Sequence, residues 1–241
     1  MVYHKSVRLR ENIYCYIWMG RGNNCNASLL THVLRGERPH VLIDPGHIKN
    51  EMGEDCFDSL SQAMEKDGFK VEDVGLVVGT HCHPDHFEAA QTVVDRSGAL
   101  LALSHEEDQF YDSVGRDFYV AFNARAPETK PFFCLREGDL SLGDKDNVDV
   151  KVLLTPGHTP GSISLYLKKE KILISGDVIF DGSVGRTDFP GGSPSSLRKS
   201  IDRLSRLDVE YLVPGHSNGS DGIISGKDKV ARNFKLVKMF I

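Results

Sequence analysis

Three histidines and one aspartate lie within the seven residues THCHPDH, at positions 80 to 86. The segment follows VGLVV, a short apolar run typical of a buried strand, so the cluster stands at the end of a strand. His81 and His83 are two residues apart and point the same way in an extended segment, and Asp85 and His86 come one turn later. Imidazole and carboxylate groups together suit zinc, iron or manganese. The spacing H-x-H-x-D-H therefore predicts a metal site.

Other strand ends supply further candidate side chains. The tripeptide Pro-Gly-His occurs three times, ending at His47, His158 and His216, and each copy follows an apolar, strand-like run. Glycine allows the sharp backbone turn that presents a side chain at the end of a strand. The segment ISGD brings Asp177 to a comparable position. Strand ends that converge on one edge of a sheet are a natural place for a site.

The wider hydrophobic pattern predicts an α/β (α+β) fold. Strand-like runs occupy residues 12–20, 27–34, 40–46, 74–81, 99–104, 148–158, 162–169, 170–177 and 209–216. Helical patterns occupy residues 55–68, 87–98 and 193–207, and the last has Ser193 as N-cap and Pro194 in the first helical position. Each sheet must bury a face, so we expect two sheets packed together with helices outside.

No long linker interrupts the chain, so we expect one domain over residues 1–241. Residues 105–136 are irregular, charged and aromatic, and we interpret them as an insertion. A short tail follows at 217–241. Its first part, residues 217–228, is rich in Gly, Ser and Asp, which favours disorder. The insertion or the tail could form a homodimer interface or a wall of the substrate site, and the sequence leaves both alternatives open.

Composition narrows the class of partner. The net charge is −5 and no dense Lys/Arg block is present, which argues against nucleic-acid binding. No segment approaches the ~18 apolar residues of a membrane span, and the charged N-terminus does not resemble a signal peptide. The five cysteines match neither a disulfide framework nor a C-x-x-C pair. We therefore expect reduced thiols in a cytoplasmic protein, with Cys82 packed away from the metal site.

The motifs THCHPDH, TPGHTPGS, SGDVIF, GRTDFPGG and VPGH, in this order, resemble those of the metallo-β-lactamase superfamily. The resemblance covers residues 10–216, and it implies a four-layer αββα sandwich with the metal site at the sheet edge. Within the superfamily, GDVIFDGSVGRTDFPGG is most similar to the glyoxalase II group and to its relatives, the persulfide dioxygenases.

The resemblance also implies a role for each motif residue. One metal ion would be held by His81, His83 and His158, a second by Asp85, His86 and His216, and Asp177 would bridge both. His47 matches no ligand position. Asp44 is similar to a turn residue that supports the metal-binding histidines through hydrogen bonds, although an ordinary turn aspartate fits equally well.

The implied activity is hydrolysis of a small acyl thioester with two divalent metal ions, zinc first and iron or manganese as alternatives. Asp85 and Asp177 would be the catalytic carboxylates. By the same resemblance, Arg186 aligns with the loop that the glyoxalase II group uses to contact the carboxylate of the thiol carrier, and Phe189 could flank the substrate. The alternative interpretation is that Arg186 is an ordinary solvent-exposed arginine and that Phe189 belongs to the hydrophobic core. Only 25 residues follow His216. We therefore expect no counterpart of the helical domain with which larger glyoxalase II enzymes grip glutathione, and a thiol carrier other than glutathione.

Two alternatives remain within the same superfamily. A persulfide dioxygenase would use one iron held by His81, His158 and Asp177, a facial triad with open positions. A lactonase or phosphodiesterase would use the same fold for another substrate, since one fold hosts many chemistries. Seven intact ligand positions favour the binuclear hydrolase.

Overall fold

In the computed structural model, which describes residues 2–143, 148–217 and 221–241, the strands form two sheets. The first sheet is ordered β1 to β7 along the chain, antiparallel from β1 to β4 and parallel from β4 to β7. Its strands are β1 (His4–Arg10), β2 (Ile13–Trp18), β3 (Ala27–Leu30), β4 (His40–Ile43), β5 (Val74–Val78), β6 (Leu100–Ser104) and β7 (Phe133–Leu135).

The second sheet is ordered β13–β12–β11–β10–β9–β8 and is antiparallel except for the parallel pair β11–β12. Its strands are β8 (Gly138–Leu142), β9 (Val148–Leu154), β10 (Ile163–Leu167), β11 (Ile172–Gly176), β12 (Tyr211–Pro214) and β13 (Ile224–Ser225).

The helices cover the two outer faces. They are α1 (Cys56–Lys66), α2 (Pro84–Phe87), α3 (Ala90–Ser97), α4 (His105–Phe110), α5 (Arg116–Ala121), α6 (Pro194–Leu204) and α7 (Lys227–Val237). A π-helical turn, Tyr111–Gly115, joins α4 to α5. Within the described residues, no helix has both the length and the apolar character that crossing a bilayer requires.

Three hydrophobic clusters separate four layers. Strand β2 shows how the sequence produces them, because alternate side chains of a strand point to opposite faces. Ile13 and Ile17 lie in the cluster between the two sheets, and Tyr16 lies in the cluster that includes α1 and α3. A third cluster joins the second sheet to α6 and α7. The predicted αββα sandwich is therefore confirmed.

The helix predicted at 193–207 is also confirmed, as α6. Ser193 Oγ accepts a hydrogen bond from Ser196 N, and Pro194 is the first helical residue. Leu197, Ile201 and Leu204 are buried on one face. The pattern was sufficient here because capping and periodicity act within the helix itself.

Other predictions need correction. Strands β1 and β8 were not predicted, because part of each is solvent-exposed and both segments are polar. The interpretation of 105–136 as irregular is wrong in part, because this segment contains α4, the π-helical turn, α5 and β7. The helix predicted at 87–98 begins later, as α3 at Ala90, because Phe87 ends α2 and Ala89 N donates to Gly46 O, 2.8 Å away. Disorder at 217–228 is wrong for residues 224–228, which form β13 and begin α7. Residues 218–220 lie outside the described residues.

Candidate metal centre

The predicted ligand residues come from loops that follow strands of both sheets. His81 and His83 follow β5, His158 follows β9, Asp177 follows β11, and His216 follows β12. The two sheets are linked at this edge, because Ile163 N donates to Thr80 O at 2.9 Å. Asp85 and His86 lie in the short helix α2, which Pro84 begins.

Two of these loops make tight turns against neighbouring elements. Gly157, before His158, has a φ of 141°, which L-residues rarely adopt, and a side chain there would collide with the Leu197 backbone. At Gly215, before His216, an added Cβ would collide with Asp177 Oδ1. Glycine is therefore required at residue 157 for backbone conformation and for close approach, and at residue 215 for close approach.

The seven side chains form three overlapping groups in which one potential ligand atom per residue lies within 4.8 Å of the others. The groups are His81–His83–His158, His81–His86–Asp177 and Asp85–His86–His216. Asp177 links the two ends: its Oδ1 is 3.1 Å from His86 Nε2 and its Oδ2 is 3.5 Å from His158 Nε2. His216 Nε2 lies 3.2 Å from Asp85 Oδ2 and 3.3 Å from His86 Nε2.

Two buried ring nitrogens in this cluster, His81 Nε2 and His83 Nε2, lack a hydrogen-bond partner among the described residues. Asp177 Oδ1 likewise accepts no hydrogen bond of good geometry, although His86 Nε2 lies 3.1 Å away. Unpartnered buried polar atoms are rare, because leaving them unsatisfied costs free energy. Ring nitrogens and a carboxylate oxygen that converge without hydrogen-bond partners are the ligand atoms that a divalent cation needs. The residues present therefore fit a divalent metal ion.

The electrostatics differ across the cluster. Burial and the neighbouring imidazoles of His86 and His158 lower the pKa of His81 well below its usual value. Burial and His158 likewise lower the pKa of His83 to about 3. Burial opposes protonation of His216 too, but the Asp177 and Asp85 carboxylates outweigh it and raise its pKa to about 10. His81 and His83 therefore stay neutral with free lone pairs, the form that binds a cation.

Asp44 lies behind the ligands, at a positive φ of 52°. Its carboxylate is buried and accepts hydrogen bonds from Thr80 N at 2.7 Å and from Thr80 Oγ1 at 2.7 Å. Its Oδ2 also lies 2.9 Å from Nδ1 of His86. A carboxylate on the far ring nitrogen orients a metal-binding histidine and fixes its tautomer. Asp44 is in position to do this for His86.

The loop between β2 and β3 closes the other side of the centre, although nothing in its sequence pattern predicts this. Asn23 Nδ2 donates to Asp85 Oδ2 at 2.8 Å, and Asn24 O lies 3.1 Å from His216 Nδ1. His47, the first Pro-Gly-His histidine, lies in none of the three groups. Its Nδ1 contacts the buried Glu88 carboxylate at 2.7 Å, and its ring lines the cleft above the metal ligands.

A cleft of about 460 Å³ opens directly onto the ligands. Arg186 and Phe189 lie on its wall, together with Phe122. The Arg186 guanidinium stacks 3.8 Å from the centre of the Phe189 ring and pairs with both carboxylate oxygens of Asp188. Phe189 also packs edge-to-face on His83, at 5.8 Å between ring centres. The wall is therefore aromatic, with one fixed guanidinium at its rim.

A protein-family model described as the metallo-beta-lactamase superfamily matches residues 20–216, the span that carries every candidate ligand. The chain belongs to this superfamily. It is 31% identical over 205 residues to the probable metallo-hydrolase MJ0888 of Methanocaldococcus jannaschii, covering 83% of this chain and 92% of that protein. Membership of the superfamily, together with the ligand set, indicates a metal-dependent hydrolase that uses divalent ions.

Two further relatives are similar over most of their length. The hydroxyacylglutathione hydrolase GloC of Haemophilus influenzae is 31% identical over 196 residues, covering 76% of this chain and 82% of that protein. The crystal structure of TTHA1623 in a di-iron-bound form superimposes with a TM-score of 0.67 at 29% identity, covering 87% of this chain and 93% of that chain.

Proposed function

We propose that this protein is a binuclear metal-dependent thioester hydrolase of the glyoxalase II type, acting on a small acyl thioester. The observation that carries the proposal is the second ligand group, Asp85–His86–His216, which is complete beside His81–His83–His158. An enzyme that needs only the triad His81, His158 and Asp177 would leave four of the seven candidate ligands, His83 and the whole second group, without an ion to bind. The second group therefore favours two ions over the mononuclear iron dioxygenase.

The relatives support the same assignment. GloC is named a hydroxyacylglutathione hydrolase, and TTHA1623 is described in a di-iron-bound form. Zinc is the ion we propose, and iron or manganese would be held by the same imidazole and carboxylate donors.

Two divalent ions, held by His81–His83–His158 and Asp85–His86–His216 with Asp177, would supply Lewis acidity and a hydroxide nucleophile near neutral pH. The chain's own carboxylates then orient the reactants. Asp85 lines the cleft, and Asn23 fixes its carboxylate, so this carboxylate can accept a hydrogen bond from a water molecule and orient that water towards the substrate. Asp177 lies between the two groups and sets their separation. A thioester suits the site because a thiolate leaves with little acid assistance.

Arg186 and Phe189 are the proposed substrate contacts. Asp188 already neutralises the Arg186 charge and uses the Nε hydrogen and one Nη2 hydrogen, so the two Nη1 hydrogens and the second Nη2 hydrogen are left to donate to a carboxylate of the thiol carrier. The apolar faces of Phe189 and Phe122 would flank the acyl or carrier chain. We expect Arg186 to act through a directed hydrogen bond rather than through long-range attraction.

The test is release of free thiol from acyl thioesters by protein purified without chelator, in anaerobic buffer, with metal content measured on the same sample. We expect about two divalent ions per chain and thiol release that does not need oxygen. Asp85→Asn and Asp177→Asn should abolish release. Lys227→Ala, which removes an exposed ion pair with Asp208, should retain it.

A single iron per chain, together with oxygen consumption on a persulfide and no anaerobic thiol release, would contradict the proposal and favour the dioxygenase. Two ions per chain with cleavage of a lactone or phosphodiester, and no thioester turnover, would retain the metal centre and reject only the substrate.

A further inference from the structure

Cys82, the residue between His81 and His83, is held by both of its backbone polar atoms. Cys82 N donates to Glu107 Oε1 at 2.8 Å, and Cys82 O accepts from the Tyr119 hydroxyl at 2.7 Å. Both partners come from the segment 105–121, which comprises α4, the π-helical turn and α5. This segment therefore fixes the backbone between two metal-binding histidines.

Glu107 also holds the loop that carries His158. Its Oε2 accepts from Thr159 Oγ1 at 2.6 Å and from Gly161 N at 3.0 Å. The approach is close, because a Cβ on Gly161 would collide with the Glu107 backbone. The loop after β5 and the loop after β9 thus meet on the two oxygens of one carboxylate.

Glu107 is buried, so its carboxylate depends on the hydrogen bonds that it accepts. The side chain is completely buried (0% exposed), and no Lys, Arg or His side chain of the described residues forms an ion pair with it. A buried carboxylate is tolerated only where hydrogen bonds replace its hydration. Those bonds come here from the two ligand-bearing loops, so a change at residue 107 acts directly on the loops.

We propose that Glu107 is a positioning residue for the His81–His83–His158 group. Its carboxylate sets the separation of the two loops and thereby the affinity of this group for a divalent ion, with no direct effect on Asp85–His86–His216. The inference rests on the metal centre of the proposed function and not on its thioester substrate. It also gives residues 105–121 a role beside the two that the sequence leaves open, a homodimer interface and a wall of the substrate site.

The test is Glu107→Gln in the full-length chain, because the amide keeps the shape of the carboxylate. In either orientation its NH₂ group faces a donor, on the Cys82 side or on the Gly161 side, so one loop loses its bond. Zn²⁺ binding to the metal-free protein is measured by competition with a chromophoric chelator. We expect one of the two ions to lose affinity by roughly 10–100-fold, as is typical when a hydrogen bond behind a metal ligand is removed, and the other to be unchanged.

The variant His216→Ala identifies the affected group, because it disables Asp85–His86–His216. The loss caused by Glu107→Gln should persist in that background. Glu54→Gln is the matched control: Glu54 is also a buried carboxylate, and it accepts from Gly22 N at 2.9 Å and Asn50 Nδ2 at 3.0 Å. It should lower the melting temperature without changing the affinity of the ion that remains in the His216→Ala background.

Wild-type affinity for both ions in Glu107→Gln would overturn the proposal. An equal loss for both ions would overturn it as well, since Glu107 would then support the fold in general. Wild-type protein that binds a single ion would contradict the binuclear function instead, while the effect of Glu107→Gln on that ion still tests the positioning role. If Glu107→Gln does not fold, Thr159→Val and Tyr119→Phe each remove one bond and should cause a smaller loss for the same ion.

Discussion

Replacing Asp44 by Asn tests whether the residue behind the ligands sets the geometry of His86. Asp44 is 2% exposed, and its two oxygens face three groups: Thr80 N, Thr80 Oγ1 and His86 Nδ1. Asn has the same shape and also tolerates the positive φ of residue 44. The substitution therefore removes the charge and one acceptor while adding little backbone strain.

The expected loss of folding stability follows from the two orientations that the new side-chain amide can adopt. With its oxygen towards Thr80 N, the NH₂ group faces the Nδ1 proton that His86 carries when Nε2 binds a cation. In the reverse orientation the NH₂ group faces the Thr80 amide proton. One buried donor stays unsatisfied either way, which costs about 1–3 kcal/mol. For a chain of this size that corresponds to a fall in melting temperature of roughly 2–12 °C.

The effect on metal affinity depends on whether Thr80 N or His86 Nδ1 loses its hydrogen-bond acceptor. We expect the ion at Asp85–His86–His216 to bind about 10–100-fold more weakly, or about 1.4–2.7 kcal/mol, while His81–His83–His158 keeps its affinity. Chelator competition with Zn²⁺ measures both constants, and a thermal melt of the metal-free protein measures the stability term. Unchanged Zn²⁺ affinity alongside the predicted fall in melting temperature would show that Asp44 supports the turn alone, and the reasoning about His86 would be wrong.

Three further predictions use other parts of the structure. Burial lowers the pKa of His4 to about 3, so His4 stays neutral in the folded state, whereas the unfolded chain takes up a proton below about pH 6.5. The free energy of unfolding therefore falls by about 1.4 kcal/mol per pH unit as the pH drops from 6.5 towards 3. Urea unfolding at pH 7.5 and at pH 5 should show a smaller difference in stability between the two pH values for His4→Gln than for wild type. Gly215→Ala should reduce bound metal, measured by elemental analysis of the purified protein, because the new methyl group collides with Asp177 Oδ1. Arg186→Met should raise KM for a thioester with a carboxylated carrier by about tenfold with kcat little changed, because one hydrogen bond to a charged group is lost; steady-state kinetics would contradict this if kcat fell instead.

Local chemistry explains which features the sequence predicts correctly. The H-x-H-x-D-H segment, the Pro-Gly-His turns and the capped helix at Ser193 are features of neighbouring residues, and their spacing alone indicates their type. The same holds for β2, whose alternation places Ile13 and Tyr16 on opposite faces. Segments with one polar side, such as β1, were missed because an edge strand needs little apolar surface.

The convergence of distant residues on one site could not be predicted from local sequence patterns. His86 and His216 are 130 positions apart, and their ring nitrogens lie 3.3 Å from each other; only the packing of the two sheets decides that distance. His158 and His47 end the same tripeptide, yet the first joins a ligand group and the second contacts Glu88.

The sequence alone determined the kinds of groups available: imidazoles and carboxylates at strand ends, and the glycines that let them turn. The tertiary structure alone decided which groups meet and what holds them. Glu107 stands between Glu106 and Asp108 in an acidic run, and no local pattern distinguishes it from them. It is buried because α4 packs against two loops, and a buried carboxylate must find its hydrogen-bond donors wherever the fold brings them.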